Sequence, residues 1–469
     1  MPQLLPFFLA LFMRATPATP VTYTLSYASP GADRVHVRLH LPAPVSAPAS
    51  FVFPRGYPGG YSIVHYDNFV TDLRGLDQAK TTALSVSRDD DGPRWTIGKT
   101  GQQLSDVEYD VDIAKMEREI LSGVESSKLR SNYAGILGYS VFGYIDGQER
   151  LPVDLDVTAP AAWPVLTTLA PVVPAPTGRT SGHAPHFDEL ADSQVLMGPG
   201  LQLREFTGAS ASVPLVLAVY AETAEDLAIE GQLARTALDR MLAYFGSAPF
   251  AHYTVHLELL KPLPGHDYGF SQEHYDSGTF SLDTTRAITA ASPAAARDVT
   301  LANYAHHIAH SWVPKHAYGI GYSPFTWEMP PIIDTIWFNE GFGRYSSIAA
   351  LADGMPAAEG SAFRARALAN LKAIVDSAPS FIQRMSTTVL SREASFMYSD
   401  DFRTGRNIFS RGSLMAADMD DRIIAETKGS KHLRDALRAI VARTVATDRP
   451  FTVEEFPDLI KNAVGVDVR

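Results

Sequence analysis

The chain has 469 residues, 45% of them hydrophobic and 20% charged, an ordinary globular balance at a length that calls for about three domains. A formal net charge of −12 argues against nucleic acid as a partner, since that needs basic patches. There is no cysteine, so disulfides and thiolate ligands are excluded, and any zinc must be held by His, Asp or Glu.

Residues 1–20 carry the apolar run Leu4-Leu5-Pro6-Phe7-Phe8-Leu9-Ala10-Leu11-Phe12, then the small residues Ala15-Thr16-Pro17-Ala18. This is the pattern of a secretory leader without its positive n-region, and it predicts a secreted or periplasmic protein. Read as a plain apolar N-terminus, it leaves the chain cytoplasmic. No later stretch is long and apolar enough for a membrane span. Residues 21–208 read as a β-sandwich domain. Segments 21–27 and 34–41 alternate with period two, and further strands are expected at 105–113, 151–158 and 200–206 with Pro- and Gly-rich turns between them. His36 and His40 share one strand face, expected to be the solvent side. The stretch 160–185, rich in Pro, Ala and Thr, reads as surface loop.

Residues 209–350 change pattern. An apolar strand at 213–220 leads to a helix at 223–245, a strand at 253–260, and a loop at 261–268. A short strand then ends near Leu282. A helix follows over 294–312, with Ser292 as N-cap and Pro293 at the first helical position, and Pro314 ends it. Its C-terminal part reads His306-His307-Ile308-Ala309-His310. Imidazoles four residues apart share one helical face, and two neutral ones can bind one Zn²⁺. A carboxylate from a second helix would complete three protein ligands and leave the fourth position for water, as in catalytic sites. Glu340 lies thirty residues after His310 in Trp337-Phe338-Asn339-Glu340-Gly341. The plain alternative is two surface or packed histidines. The aromatic connection holding Tyr318, Tyr322, Phe325 and Trp327 reads as ordinary packing rather than a lid. Residues 351–469 have helical periodicity at 360–378, 405–428, 431–444 and 453–464, with a capping box at Thr452-Val453-Glu454-Glu455. The expected fold class is α+β: an N-terminal β-sandwich, a thermolysin-like catalytic domain and a C-terminal α-helical domain.

Several separated segments carry a resemblance. They are Pro58-Gly59-Gly60-Tyr61 with Asn68-Phe69-Val70 and Asp72, Phe187-Asp188-Glu189-Leu190-Ala191-Asp192-Ser193, Gln272-Glu273-His274 with Ser277, and Trp337-Phe338-Asn339-Glu340-Gly341-Phe342. In this order and spacing the chain resembles the glycyl aminopeptidase family of gluzincin zinc metallopeptidases. The resemblance implies a zinc-dependent peptide hydrolase with His306, His310 and Glu340 as ligands and a peptide or peptide-like substrate. It implies that Glu273 lines the cleft and holds the substrate's α-ammonium; the alternative is a strand-edge carboxylate paired to a Lys or Arg. Many members of the family add a PDZ domain, and none is expected here.

Two departures stand out. The metalloprotease pattern His-Glu-x-x-His needs a glutamate as general base, and His307 occupies that position. The family's Tyr-Tyr-x-Lys-Gly segment appears as Ile408-Phe409-Ser410-Arg411-Gly412, without the hydroxyl that steadies the oxyanion; Tyr398 is the candidate substitute. Three readings follow: a hydrolase in which His307 moves the proton, a pseudopeptidase that binds zinc and peptides without turnover, or His307 as an added ligand. Adjacent helical residues point about 100° apart, which disfavours the third.

Overall fold

The computed structural model describes residues 18–79, 82–120, 126–208, 213–265 and 267–469. The apolar run expected as a leader lies outside them. Among the described residues no helix is long and apolar enough to cross a membrane.

The fold is mixed α+β, with an N-terminal sheet domain and a C-terminal helical region. Alternation in the first strands drives their pairing: Val21, Tyr23 and Leu25 point inward from Val21–Ser26, and Val35, Val37 and Leu39 from Arg34–Ser46. Those strands belong to a seven-stranded sheet, faced by two four-stranded sheets. Phe51, Phe53, Tyr109, Phe142 and Trp163 fill the space between. His36 and His40 face solvent and pair with Asp110 and Asp106 at 2.7 and 3.1 Å. The segment expected as loop at 160–185 contains two strands, Val165–Thr167 and Arg179–Ala184. Its prolines lie between and beside the strands, never within them, so turn composition masked them.

The second sheet has five strands. Leu215–Ala221, Tyr253–Leu260 and Ser277–Asp283 run parallel, and their near-continuous burial is that of strands covered on both faces. The helix Leu227–Phe245 makes the first crossover. The strand Gln202–Phe206, expected in the sandwich, pairs with Leu215–Ala221 instead. The single strand expected before Leu282 is a hairpin, Gly269–Glu273 with Ser277–Asp283. Glu273 thereby sits at the end of the outermost strand.

The histidine helix spans Ala294–His310. Pro293 is its N-cap, not its first turn, because the Ser292 hydroxyl is engaged by the Thr289 amide at 2.9 Å. The glutamate helix, Ile336–Asp353, is buried on nearly every side, as its apolar sequence requires. The long helix Phe402–Thr427 crosses it where Gly341 meets Gly412; a Cβ on either would overlap the other helix's backbone. One apolar cluster runs from the second sheet through both of these helices to Leu437 and Ile460, so packing makes no break near residue 350. Tyr318, Tyr322 and Trp327 are packed inside. Thr452 and Glu455 exchange backbone and side-chain bonds at 3.0 and 3.2 Å, closing the expected capping box ahead of the helix Phe456–Val464.

Gly412→Ala should force the crossing apart and cost about 1–3 kcal/mol, read as a lower denaturation midpoint. An unchanged midpoint would mean that the crossing is slack.

Candidate metal centre

His306 and His310 leave the helix on one face, and Glu340 meets them from the next. Nε2 of His306 and Nε2 of His310 are 3.3 Å apart. Glu340 Oε2 lies 3.4 Å from His310 Nε2 and 3.8 Å from His306 Nε2. Zinc–nitrogen bonds of about 2.0–2.1 Å place tetrahedral ligand atoms about 3.3–3.4 Å apart. The three atoms therefore stand nearly as far apart as one tetrahedral ion would set them.

Their surroundings fit such an ion. His310 Nδ1 is 2.8 Å from the Val313 carbonyl, which can only accept. That fixes the proton on Nδ1 and leaves the Nε2 lone pair facing the triad, the usual outer-shell support of a ligating imidazole. The Tyr61 hydroxyl donates to Glu340 Oε1 at 2.9 Å, leaving Oε2 for the triad. Tyr61 comes from the sandwich domain, and its backbone is in the left-handed region at φ 48°. Burial opposes a charge on His310, but the Glu340 and Glu273 carboxylates outweigh it and lift its pKa to about 9. Burial and the neighbouring His310 push His306 well below its usual value. The two carboxylates thus favour positive charge at His310, while His306 keeps the neutral form that can ligate. Zinc is the ion these donors suit: two imidazoles and one carboxylate, with room for a fourth ligand.

His307 does not join that set. It lies in a second close group with Glu273 and His310, its Nδ1 3.8 Å from Glu273 Oε2. Burial lowers the His307 pKa against the pull of Glu273, so the ring is neutral near pH 7. Glu273 is buried, and His310 and His307 hold its carboxyl below the usual range despite that burial. Among the described residues no Lys or Arg forms an ion pair with it, and its Oε1 has no hydrogen-bond partner. A Cβ at Gly59 would overlap Oε1, and Gln272 Nε2 donates to the Pro58 carbonyl at 2.8 Å. The Pro58–Tyr61 turn therefore backs both Glu273 and Glu340. Next in sequence, His274 shares Asp192 Oδ1 with Lys315, at 3.2 and 2.9 Å. This buried network ties the Phe187–Asp192 helix to the site.

Glu273, His306, His307 and Glu340 line a cleft of about 470 Å³ that also holds Tyr57, Arg344, Tyr398 and Phe409. Tyr398 caps the helix Thr387–Met397 and packs, tilted by 32°, at 5.2 Å from Phe409, whose ring lies 6.2 Å from Tyr61. The phenyl of Phe409 and the phenol of Tyr398 thus share one wall. Tyr61 and Arg344 carry no motif of their own in the sequence. Tyr61 appears there only within the resemblance, and nothing in the sequence singles out Arg344.

The fold is that of the zinc aminopeptidases known by structure. An aminopeptidase N family protein from Idiomarina loihiensis superposes with a TM-score of 0.81 at 18% identity, over 96% of this chain and 74% of that one. An M1 zinc metallopeptidase from Deinococcus radiodurans gives 0.53 at 15% identity, over 96% and 92%; a mutant of it bound to Tyr-Ser-Ala gives 0.53 at 14%, over the same shares. Residues 22–199 match the Peptidase M61 N-terminal domain, in line with the resemblance to gluzincin peptidases drawn from the motifs. No curated protein matches the chain.

Purified protein should hold about one zinc per chain, and His310→Ala should lose it. Tyr61→Phe should weaken zinc about 10–100-fold while leaving the circular dichroism spectrum intact. Unchanged affinity in Tyr61→Phe would reduce that hydroxyl to a packing role.

Proposed function

We propose that the chain is a zinc-dependent, aminopeptidase-type peptide hydrolase whose general base is His307 in place of glutamate. The observation that carries this is the convergence of His306 Nε2, His310 Nε2 and Glu340 Oε2 within 3.3–3.8 Å at the floor of a cleft. Zinc bound there would lower the pKa of its water and polarise the peptide carbonyl.

The chain's own residues supply the rest. Glu273 presents an unpartnered carboxylate oxygen and no competing Lys or Arg, which suits an α-ammonium group and would fix the free amino end of a peptide. Its other oxygen lies on the Nδ1 side of His307, so the carboxylate stabilises the imidazolium once a proton arrives. Nε2 is then the nitrogen that takes the proton from water and returns it to the leaving amine. A neutral imidazole is in the accepting form, but its lowered basicity makes it a weaker base than the usual glutamate. Tyr398 places a phenol ring against Phe409 in the cleft, and we assign oxyanion stabilisation to it. The apolar run at the N-terminus supports an exported protein, outside the cytoplasm.

A second reading, a pseudopeptidase that holds zinc and peptides without turnover, is favoured by two observations: Phe409 lacks a hydroxyl, and burial weakens His307. One assay separates them. The first reading expects zinc-dependent release of N-terminal Gly or Ala from small peptides, reduced about 10²-fold or more in His307→Gln with zinc retained. No release by the natural chain, with activity gained in His307→Glu, would establish the second reading instead.

A further inference from the structure

A second cavity, of about 770 Å³, opens beside the cleft. The two share Asn303, His306 and Arg344, whereas Glu273 and His307 line only the first and Phe363 and Ile374 only the second. Of the candidate metal ligands, His306 therefore lines both compartments and Glu340 only the first. Arg344 follows Glu340 by one helical turn and so shares its face. Among the described residues its guanidinium forms no ion pair and donates no hydrogen bond, although it is largely buried and lines both cavities. Other half-buried arginines are matched: Arg94 with Asp146 and Glu328, Arg130 with Glu117 and Glu222. Glu340, the nearest acid on its own helix, is taken by Tyr61 and the imidazoles. A buried cation without a partner is costly, and an arriving carboxylate would relieve that cost while matching the planar fork of the guanidinium. Beyond Arg344, Ile348, Phe363, Leu371 and Ile374 give the wall an apolar stretch, beside the polar Ser347 and Asn370, with Asp283 and Arg286 also lining the cavity.

We infer that this second cavity receives the C-terminal residue of a dipeptide or tripeptide, with Arg344 holding the free α-carboxylate and the apolar stretch taking an aliphatic or aromatic side chain. The inference rests on the peptidase reading above. Glu273 at one end and Arg344 at the other then form a ruler that reads both the ammonium and the carboxylate.

The test is binding of an uncleavable probe to the full chain. The probe is the Ala-Leu analogue with CH₂–NH in place of the peptide bond, compared with its C-terminal carboxamide by calorimetry; zinc content is measured in parallel. The natural chain should bind the acid about tenfold or more tighter than the carboxamide. Arg344→Gln should bring the two close to parity with zinc content unchanged, Arg344→Lys should retain part of the preference, and Arg286→Gln, at the exposed rim, should keep it whole. Equal affinities in the natural chain, or a preference that survives Arg344→Gln, overturns the assignment. A chain that prefers the acid but holds no zinc overturns the metal reading and leaves this one standing; zinc with no preference does the reverse.

Discussion

Two imidazoles and a carboxylate come together where two buried helices meet, and the surrounding structure is arranged to hold them there. Such groups are expensive to take out of water unless something satisfies them. His310 is held by the Val313 carbonyl, and Glu340 by the Tyr61 hydroxyl. The glutamate helix is pinned in turn by the Gly341–Gly412 crossing, which only glycine permits. The sandwich domain takes part directly: its Pro58–Tyr61 turn touches Glu340 through Tyr61 and backs Glu273 through Gly59. The N-terminal half of the chain is thus one wall of the site.

The same compactness shapes the departure at the base position. His310 belongs to two close groups, one with His306 and Glu340 and one with His307 and Glu273. An imidazole presents one lone pair in its neutral form, so one ion cannot be served fully by both groups. The first group has separations of 3.3–3.8 Å and the support of Tyr61. The second leaves Glu273 and His307 as an acid–base pair beside the first. A glutamate at position 307 would instead have placed two buried carboxylates side by side, near Glu273.

Much of this was legible in the sequence because it is local. Four-residue spacing marks one face of a helix, period-two alternation marks a half-buried strand, and both gave the elements and the His306/His310 pair. The need for a third ligand makes Glu340 a candidate, and the resemblance singles it out, since nothing local ties it to residues thirty positions earlier. What stayed hidden is non-local. Tyr61 lies 279 residues from Glu340 in the chain, and no periodicity announces such a pairing. The strand Gln202–Phe206 alternates equally well in either sheet; only the fold chooses its partner. Strands within 160–185 were masked by the prolines of their own turns, and Ser292 was displaced as N-cap by a competing turn with Thr289. Gly412 read as one more helical residue until the crossing showed what its missing side chain admits.

The most direct test of the central claim is anomalous diffraction at the zinc edge from crystals of the full chain. One peak within bonding distance of His306 Nε2, His310 Nε2 and Glu340 Oε2, with an open fourth position toward the cleft, is the predicted result. A peak held by Glu273, His307 and His310, or none in zinc-supplemented crystals, would contradict it.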